Sequence, residues 1–210
     1  MRRTIDILFV LLVLPVLSLL LIPISLAIVL ESEGSPFYGG WRIGKGGKRF
    51  RMWKFRTMVR NADRIGGAIT TSRDSRITKV GWFLRKTKLD ELPQFFNLLL
   101  GDLTLIGPRP EDPGITEKYT PEQRRILEVK PGITGPTQLQ YTVVEAETIK
   151  DEKDPERFYV EHLLDEKLRL DLEYIRRRTV FSDFRIVLQT IMLMARSLIR
   201  SGQTASSRNV

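Results

Sequence analysis

The chain of 210 residues is long enough for one domain with a buried core and an appendage. It has no cysteine and a single histidine, which excludes disulfides, thiolate nucleophiles and zinc–cysteine sites and leaves little room for histidine-based catalysis. The formal net charge of +9 indicates an anionic partner such as nucleic acid, acidic lipid headgroups or a phosphorylated substrate.

An uncharged apolar run, residues 7–30, stands near the start of the chain. A straight helix of this length would measure about 36 Å, enough for a bilayer core of about 30 Å. Pro15 and Pro23 lie inside the run, and each removes a helix hydrogen bond and favours a kink. Residues 1–35 are therefore predicted to form a membrane helix that is broken at one of these prolines.

Positive charge on both sides of the run bears on its orientation. Arg2 and Arg3 precede the run, and residues 42–60 contain many basic residues and no acid. Because basic flanks stay on the cytoplasmic side, both ends are drawn to the same face of the membrane. This favours a re-entrant helix, with a simple transmembrane anchor and a signal peptide as alternatives.

A β-hairpin is predicted next, with a strand at residues 41–43, a glycine-rich turn at 44–47 and a strand at 50–58. Alternation along the second strand places Lys54 and Arg56 on one face. That basic face either binds an anionic ligand or lies against solvent or lipid headgroups.

The remaining pattern is mostly helical, so the fold class is α+β with a compact domain over residues 36–201. The segment 183–200 is amphipathic, which suits either core packing or a membrane interface. The other expected elements are a polar loop at 61–76, helices starting near 77 and 90, helices at 122–129 and 156–178, and a disordered tail at 202–210.

Two adjacent carboxylates, Asp90 and Glu91, stand at the predicted helix start near residue 90. Consecutive helix residues point about 100° apart, so the two carboxylates are expected to have different roles. An ionised aspartate there can act as a nucleophile or hold Mg²⁺. The alternative is a simple helix cap, since residues 87–90 also fit a capping box. Arg109 lies between two prolines, which favours either a rigid phosphate-binding arginine or a surface turn.

Taken together, these segments resemble the bacterial monotopic phosphoglycosyl transferases, the bacterial sugar transferase family, in its small catalytic-core type. The resemblance runs from about residue 2 to residue 200, and the motifs occur in the order and spacing of the family. The matching segments are residues 54–58 (KFRTM), 89–94 (LDELPQ), 101–103 (GDL), 107–110 (GPRP) and 130–135 (KPGITG).

The resemblance implies an enzyme of the bacterial cytoplasmic membrane, with its catalytic domain on the cytoplasmic face. It would move a phospho-sugar from a UDP-sugar to polyprenyl (undecaprenyl) phosphate and release UMP, with Mg²⁺ as cofactor. Asp90 would be the nucleophile and a metal ligand, and Glu91 would assist it. The donor phosphates would be bound by Lys54, Arg56, Arg85 and Arg109. Membrane lipids would be further partners and nucleic acid would not. The resemblance leaves open whether the protein forms a homodimer.

The sequence departs from the family pattern in two places. The family usually breaks its membrane helix at a Ser-Pro pair, but no serine precedes Pro15 or Pro23, so both are candidates for the break. Many relatives continue with Trp-Gln-Val after the glycine that corresponds to Gly135. Here residues 136–140 read PTQLQ, so sugar recognition is expected to differ.

Two other classes of function explain part of the sequence. A non-enzymatic, membrane-anchored basic scaffold explains the charge and the apolar run, but not the carboxylate pair beside the GPRP segment. A nucleic-acid-binding domain explains the basic charge, yet the chain lacks a helix-turn-helix or an aromatic RNA-binding signature.

Overall fold

The computed structural model describes residues 2–62, 65, 74–149, 152 and 154–206. The described chain is mostly helical with a small antiparallel hairpin, as predicted. The helices are α1 (Arg2–Glu31), α2 (Lys79–Thr87), α3 (Gln94–Leu100), α4 (Pro113–Glu117), α5 (Pro136–Thr148), α6 (Pro155–Phe158), α7 (Leu164–Arg177) and α8 (Val180–Ser206). The strands are β1 (Phe37–Ile43), β2 (Arg49–Phe55), β3 (Thr104–Ile106) and β4 (Gly132–Thr134).

Helix α1 is the predicted apolar helix. It continues as one α-helix through Pro15 and Pro23. Among the described helices it alone combines the length and the apolar composition needed to cross a membrane. Only 11% of its most apolar 18-residue stretch is buried. Both prolines leave the helix continuous, so its secondary structure does not single out either one as the break.

The first turns of α1 are fastened to the folded domain by polar contacts. Arg3 donates hydrogen bonds to the last carbonyls of α3. Asp6 is 5% exposed and accepts from the Thr104 hydroxyl at 2.9 Å and from the Leu105 N–H at 3.0 Å. A buried carboxylate needs such donors, so this end of α1 has a fixed place on β3.

The last turns of α1 are fastened to the same domain. Ile28 is buried against Phe55 of β2 and Leu84 of α2. The Glu31 carboxylate accepts from the backbone N–H groups of Lys79 at 2.8 Å and of Val80 at 3.0 Å. An acidic side chain at this position satisfies free amides at the start of α2 and complements its dipole.

The hairpin begins earlier and ends earlier than predicted. Its register runs from Phe37 opposite Phe55 to Ile43 opposite Arg49. The prediction that the second strand reaches residue 58 was wrong, because β1 provides no partner beyond Phe55. Met58 instead forms an isolated bridge with Ile77.

Two short parallel strands, β3 and β4, hold the loop that carries Arg109. Gly107 donates to the carbonyl of Thr134 and Gly132 donates to that of Pro108, each at 2.9 Å. A Cβ on Gly132 would lie 2.1 Å from the nitrogen of Gly107, so only glycine allows these backbones to approach this closely.

The C-terminal helices cover the other side of this loop. The predicted long charged helix is present as α6, a single π-helical turn at Tyr159–Leu163, and α7. Helix α8 extends to Ser206, so residues 202–206, which we placed in a disordered tail, are helical. Residues 207–210, and most of the polar loop predicted at 61–76, lie outside the described residues.

Candidate active site

Asp90 and Glu91 lie in a short 3-10 turn, Leu89–Glu91, between α2 and α3. The expectation that Asp90 starts an α-helix was wrong, because residues 89–91 form a 3-10 turn and α3 begins only at Gln94. Lys88, in a left-handed conformation (φ 61°), separates this turn from α2. The capping box was also wrong: the hydroxyl of Thr87 donates to the carbonyl of Phe83 at 2.9 Å. The carboxylates are therefore not helix caps.

Glu91 is held between two cations from distant parts of the chain. Lys54 Nζ of β2 lies 3.3 Å from Glu91 Oε1, and an Arg109 guanidinium nitrogen lies 3.1 Å from the same oxygen. Burial opposes ionisation of Glu91, but Lys54 and Arg109 outweigh it and hold its pKa well below the usual range. Glu91 is thus an anion that holds two cationic side chains in place.

Asp90 has a different environment from its neighbour. It is 8% exposed, and its Oδ1 is buried without a hydrogen-bond partner. Burial raises its pKa above the ordinary value; Lys54 opposes this effect and Glu91 adds to it. A poorly solvated carboxylate oxygen without donors is available to bond an electrophile or a cation. The sequence-based expectation of two different roles agrees with these two environments.

Arg85 joins the site from α2. Its Nε donates to the Thr57 hydroxyl at 2.8 Å, which fixes the direction of the side chain. Burial lowers its pKa and the charge of Asp90 opposes that effect, so the two groups interact electrostatically. The carboxylate pair is therefore surrounded by three of the four predicted phosphate-binding cations, which are Lys54, Arg85 and Arg109.

Arg56, the fourth predicted cation, lies elsewhere. Its guanidinium donates to the carbonyls of Ser32 and Glu33 and to the Ser32 hydroxyl, the last at 3.0 Å. Because β2 ends at Phe55, the alternation that would place Arg56 beside Lys54 does not continue. Arg56 instead ties the exit from α1 to the hairpin.

Sequence reasoning did not find the groups that hold the Arg109 loop from behind. The Tyr159 hydroxyl donates to Glu111, and Lys167 Nζ, 4% exposed in α7, donates to the same hydroxyl at 2.7 Å. One turn along α7, Asp171 accepts a hydrogen bond from the backbone N–H of Arg109. Tyr159, Lys167 and Asp171 belong to the predicted long charged helix, and only the tertiary contacts reveal that they are buried.

A Mg²⁺ ion fits the donor set of the site in part. Within the described residues, no group of three or more histidine or acidic side chains could hold a metal by itself. Mg²⁺, however, is commonly bound through one or two carboxylates together with substrate phosphates and water. The unpartnered Oδ1 of Asp90 is a suitable oxygen ligand of this kind.

Comparison with known proteins identifies the family. The model of the bacterial sugar transferase family matches residues 1–197. The chain belongs to the bacterial sugar transferase family. The family predicted from the motifs is therefore confirmed.

Several bacterial transferases are similar to this chain along most of its length. An Aeromonas hydrophila UDP-N-acetylgalactosamine-undecaprenyl-phosphate N-acetylgalactosaminephosphotransferase is 36% identical over 195 residues, covering 90% of this chain and 42% of that protein. A UDP-glucose:undecaprenyl-phosphate glucose-1-phosphate transferase from Escherichia coli K12 is 37% identical over 199 residues (91% and 39%). One of the same name from Caulobacter vibrioides is 33% identical over 193 residues (90% and 68%). The chain thus spans about two fifths of the length of the first two relatives.

Proposed function

We propose that this chain transfers a phospho-sugar from a UDP-sugar to polyprenyl (undecaprenyl) phosphate. The observation that carries the proposal is the buried, unpartnered Oδ1 of Asp90 inside a ring of cations. Lys54, Arg85 and Arg109 would bring more positive charge than the two carboxylates neutralise, which suits a diphosphate. Family membership and the names of the relatives point to the same reaction class.

In the proposed first step, an oxygen of Asp90 attacks the β-phosphorus of the donor. An aspartyl phospho-sugar bond forms, the bond between that phosphorus and the bridging oxygen breaks, and UMP leaves with the bond's electron pair. In the second step an oxygen of polyprenyl phosphate attacks the same phosphorus and releases Asp90 as a carboxylate. The product is a polyprenyl diphosphate sugar, and no histidine or cysteine is required.

The neighbouring side chains would bind and orient the donor. Arg109 and Lys54, held in place by Glu91, would contact the diphosphate oxygens and stabilise negative charge as it shifts to the leaving UMP. Arg85 would lie on the Asp90 side of the same ligand. Asp90 would also hold Mg²⁺, which when bound supplies charge neutralisation on the diphosphate.

The membrane topology that we propose is re-entrant. A straight helix of the length of α1 would measure about 45 Å, and a spanning helix places its ends on opposite sides of a core of about 30 Å. Here Asp6 and Glu31, near opposite ends of α1, both contact one folded domain. Entry and exit through the cytoplasmic face of the inner membrane accounts for both contacts and for the basic flanks.

Helix α8 would lie in the membrane interface beside α1. Its residues Val180, Phe181 and Phe184 are between 66% and 78% exposed. Arg178 and Arg185 flank them, and α8 packs on α2, which itself contacts α1. An exposed apolar helix face with basic neighbours suits anionic lipid headgroups.

The decisive experiment uses the protein with a panel of UDP-sugars and Mg²⁺ but without a lipid acceptor. Intact-mass spectrometry should show a phospho-sugar adduct with one donor, accompanied by UMP release, and Asp90→Asn should abolish both. Asp165→Asn, which changes an exposed carboxylate that contacts Gln123, is the matched control and should keep the adduct. If no donor gives an adduct or UMP, the membrane-anchored scaffold is the better reading.

The topology has its own test, since every thiol introduced into this cysteine-free chain is unique. Cysteines at the exposed positions Thr4 and Ser35 should both be protected from an impermeant maleimide in intact cells and labelled after lysis. Labelling of one position in intact cells would establish a spanning helix instead.

A further inference from the structure

Asn97 is a fully buried polar side chain on α3, and its amide group bonds to β2. Its Nδ2 donates to the carbonyl of Arg51 at 2.7 Å, and its Oδ1 accepts from the N–H of Trp53 at 2.9 Å. One side chain thus satisfies a carbonyl and an N–H on the edge of β2, as a neighbouring strand would. The amide thereby fixes the distance and the register between α3 and β2.

The orientation of this amide is set by the segment that follows α3. Gly101, at φ 90°, ends the helix, and its N–H and those of the next two residues donate to the carbonyl of Asn97. The chain therefore folds back, and Asp102 Oδ2 lies 3.1 Å from Asn97 Nδ2. A carboxylate only accepts hydrogen bonds, so Asp102 selects the amide nitrogen on its side and leaves the amide oxygen to accept from the N–H of Trp53.

The two elements that Asn97 joins are those that supply the Lys54–Glu91 pair. Lys54 follows Trp53 directly on β2, and the turn that carries Glu91 leads into α3. The Lys54–Glu91 contact of 3.3 Å therefore crosses the same junction as the amide of Asn97. A displacement of β2 along α3 would carry Lys54 away from Glu91.

We propose that Asn97, oriented by Asp102, is a positioning residue that holds Lys54 against Glu91. This assigns a role to the Gly101–Asp102 segment. The catalytic consequence of the inference rests on the proposed function, whereas its structural content, the Lys54–Glu91 contact, does not.

The first test measures that contact without any assay of activity. Lys54→Met and Glu91→Gln, singly and together, give a double-mutant cycle of melting temperatures. We expect the shifts in melting temperature to be non-additive in the protein with Asn97. In the Asn97→Ser background they should be additive, because the Lys54–Glu91 pair no longer forms. Should Asn97→Ser fail to fold, Asp102→Ser takes its place, since it removes the orienting acceptor and leaves Asn97. Unchanged non-additivity in these backgrounds would overturn the proposal.

A matched control separates positioning from general destabilisation. Leu164→Ala opens a cavity in the core cluster of α7 and lowers the melting temperature, but it should leave the Lys54–Glu91 cycle non-additive. If Leu164→Ala also abolishes the non-additivity, Asn97 acts only through stability and the proposal fails.

The second test follows UMP release from the donor. A misplacement of about 1 Å can lower a rate about 100-fold, so Asn97→Ser alone should reduce kcat/KM by that order. Added to Lys54→Met, it should reduce kcat/KM by less than about threefold, because the positioned group is already absent. Multiplicative effects would refute the inference. A wild-type protein that releases no UMP would refute the proposed function, and the melting-temperature cycle would still decide this inference.

Discussion

Neutralising the two adjacent carboxylates should change the stability of the fold in opposite directions. Asp90→Asn removes the charge of a buried carboxylate whose Oδ1 has no hydrogen-bond partner. Burial raises the pKa of this carboxylate, so the folded state disfavours its ionised form at pH 7. An unsatisfied buried polar group costs about 1–3 kcal/mol and more when it is charged, and asparagine removes the charge but keeps a polar atom at this position, so we count about 1 kcal/mol. Each kcal/mol shifts Tm by about 2–4 °C at this chain length, so we expect Tm to rise by roughly 3 °C in Asp90→Asn.

Glu91→Gln is the matched comparison, one residue away in the same turn. It removes the anion that pairs with Lys54 and Arg109 and leaves two cations close together. Hydrogen bonds to charged groups contribute about 1.5–3 kcal/mol, and the partial exposure of these side chains favours the lower part of that range. Tm should therefore fall by about 6 °C in Glu91→Gln.

Both variants can be measured by thermal unfolding in one detergent, with EDTA present, using the fluorescence of the three tryptophans. Asp90→Asn should combine a higher Tm with loss of the phospho-sugar adduct, which is the signature of a residue kept for chemistry at the expense of stability. Equal shifts of the same sign in both variants would contradict the assignment of different environments to the two carboxylates.

Three further predictions concern other parts of the chain. Glu31→Gln weakens the cap on α2, worth about 1 kcal/mol, so Tm should fall by about 3 °C; an unchanged Tm would mean that this contact is not stabilising. Burial raises the pKa of Asp171 from 3.8 to about 6, although hydrogen bonds from Thr137 and Arg109 oppose this effect. The free energy of unfolding of wild type relative to Asp171→Asn should therefore increase by up to about 3 kcal/mol as the pH falls from 7 to 4. Urea titrations at several pH values measure this difference, and a stability of wild type relative to Asp171→Asn that increases as the pH rises would contradict the sign. Arg109→Lys keeps the charge but loses the planar donors, so UMP release should fall about 100-fold, and near-normal release would argue against direct phosphate contact.

Local pattern was enough to predict most of the fold. The apolar run, the hairpin and the long charged helix are recognisable because hydrophobic period and turn residues act within a few positions. The errors fell where a tertiary contact decides the local geometry. Strand β2 ends at Phe55, opposite the first residue of β1, and the segment predicted as a helix from residue 89 is a 3-10 turn followed by an α-helix that begins only at Gln94.

The candidate site was predictable only in part for the same reason. Asp90, Glu91 and Arg109 stand out because carboxylates and a proline-locked arginine are unusual in a short stretch. Arg56 was grouped with Lys54 by strand alternation that stops one residue too early. Asn97 and Asp171 carry no local signal, since a lone polar residue in a helix becomes informative only once its burial is known.

The attachment of α1 through Asp6 has a consequence for biosynthesis. Its acceptor bonds reach Thr104 and Leu105, which are 98 and 99 residues further along the chain. At a synthesis rate of about 5–20 residues per second, the apolar helix exists for roughly 5–20 s before its partners leave the ribosome. During that interval the Asp6 carboxylate in the first turns of α1 has neither of these partners. In the proposed membrane-inserted state, the first turns of α1 would therefore be fixed after insertion, when β3 arrives and ties them to the domain.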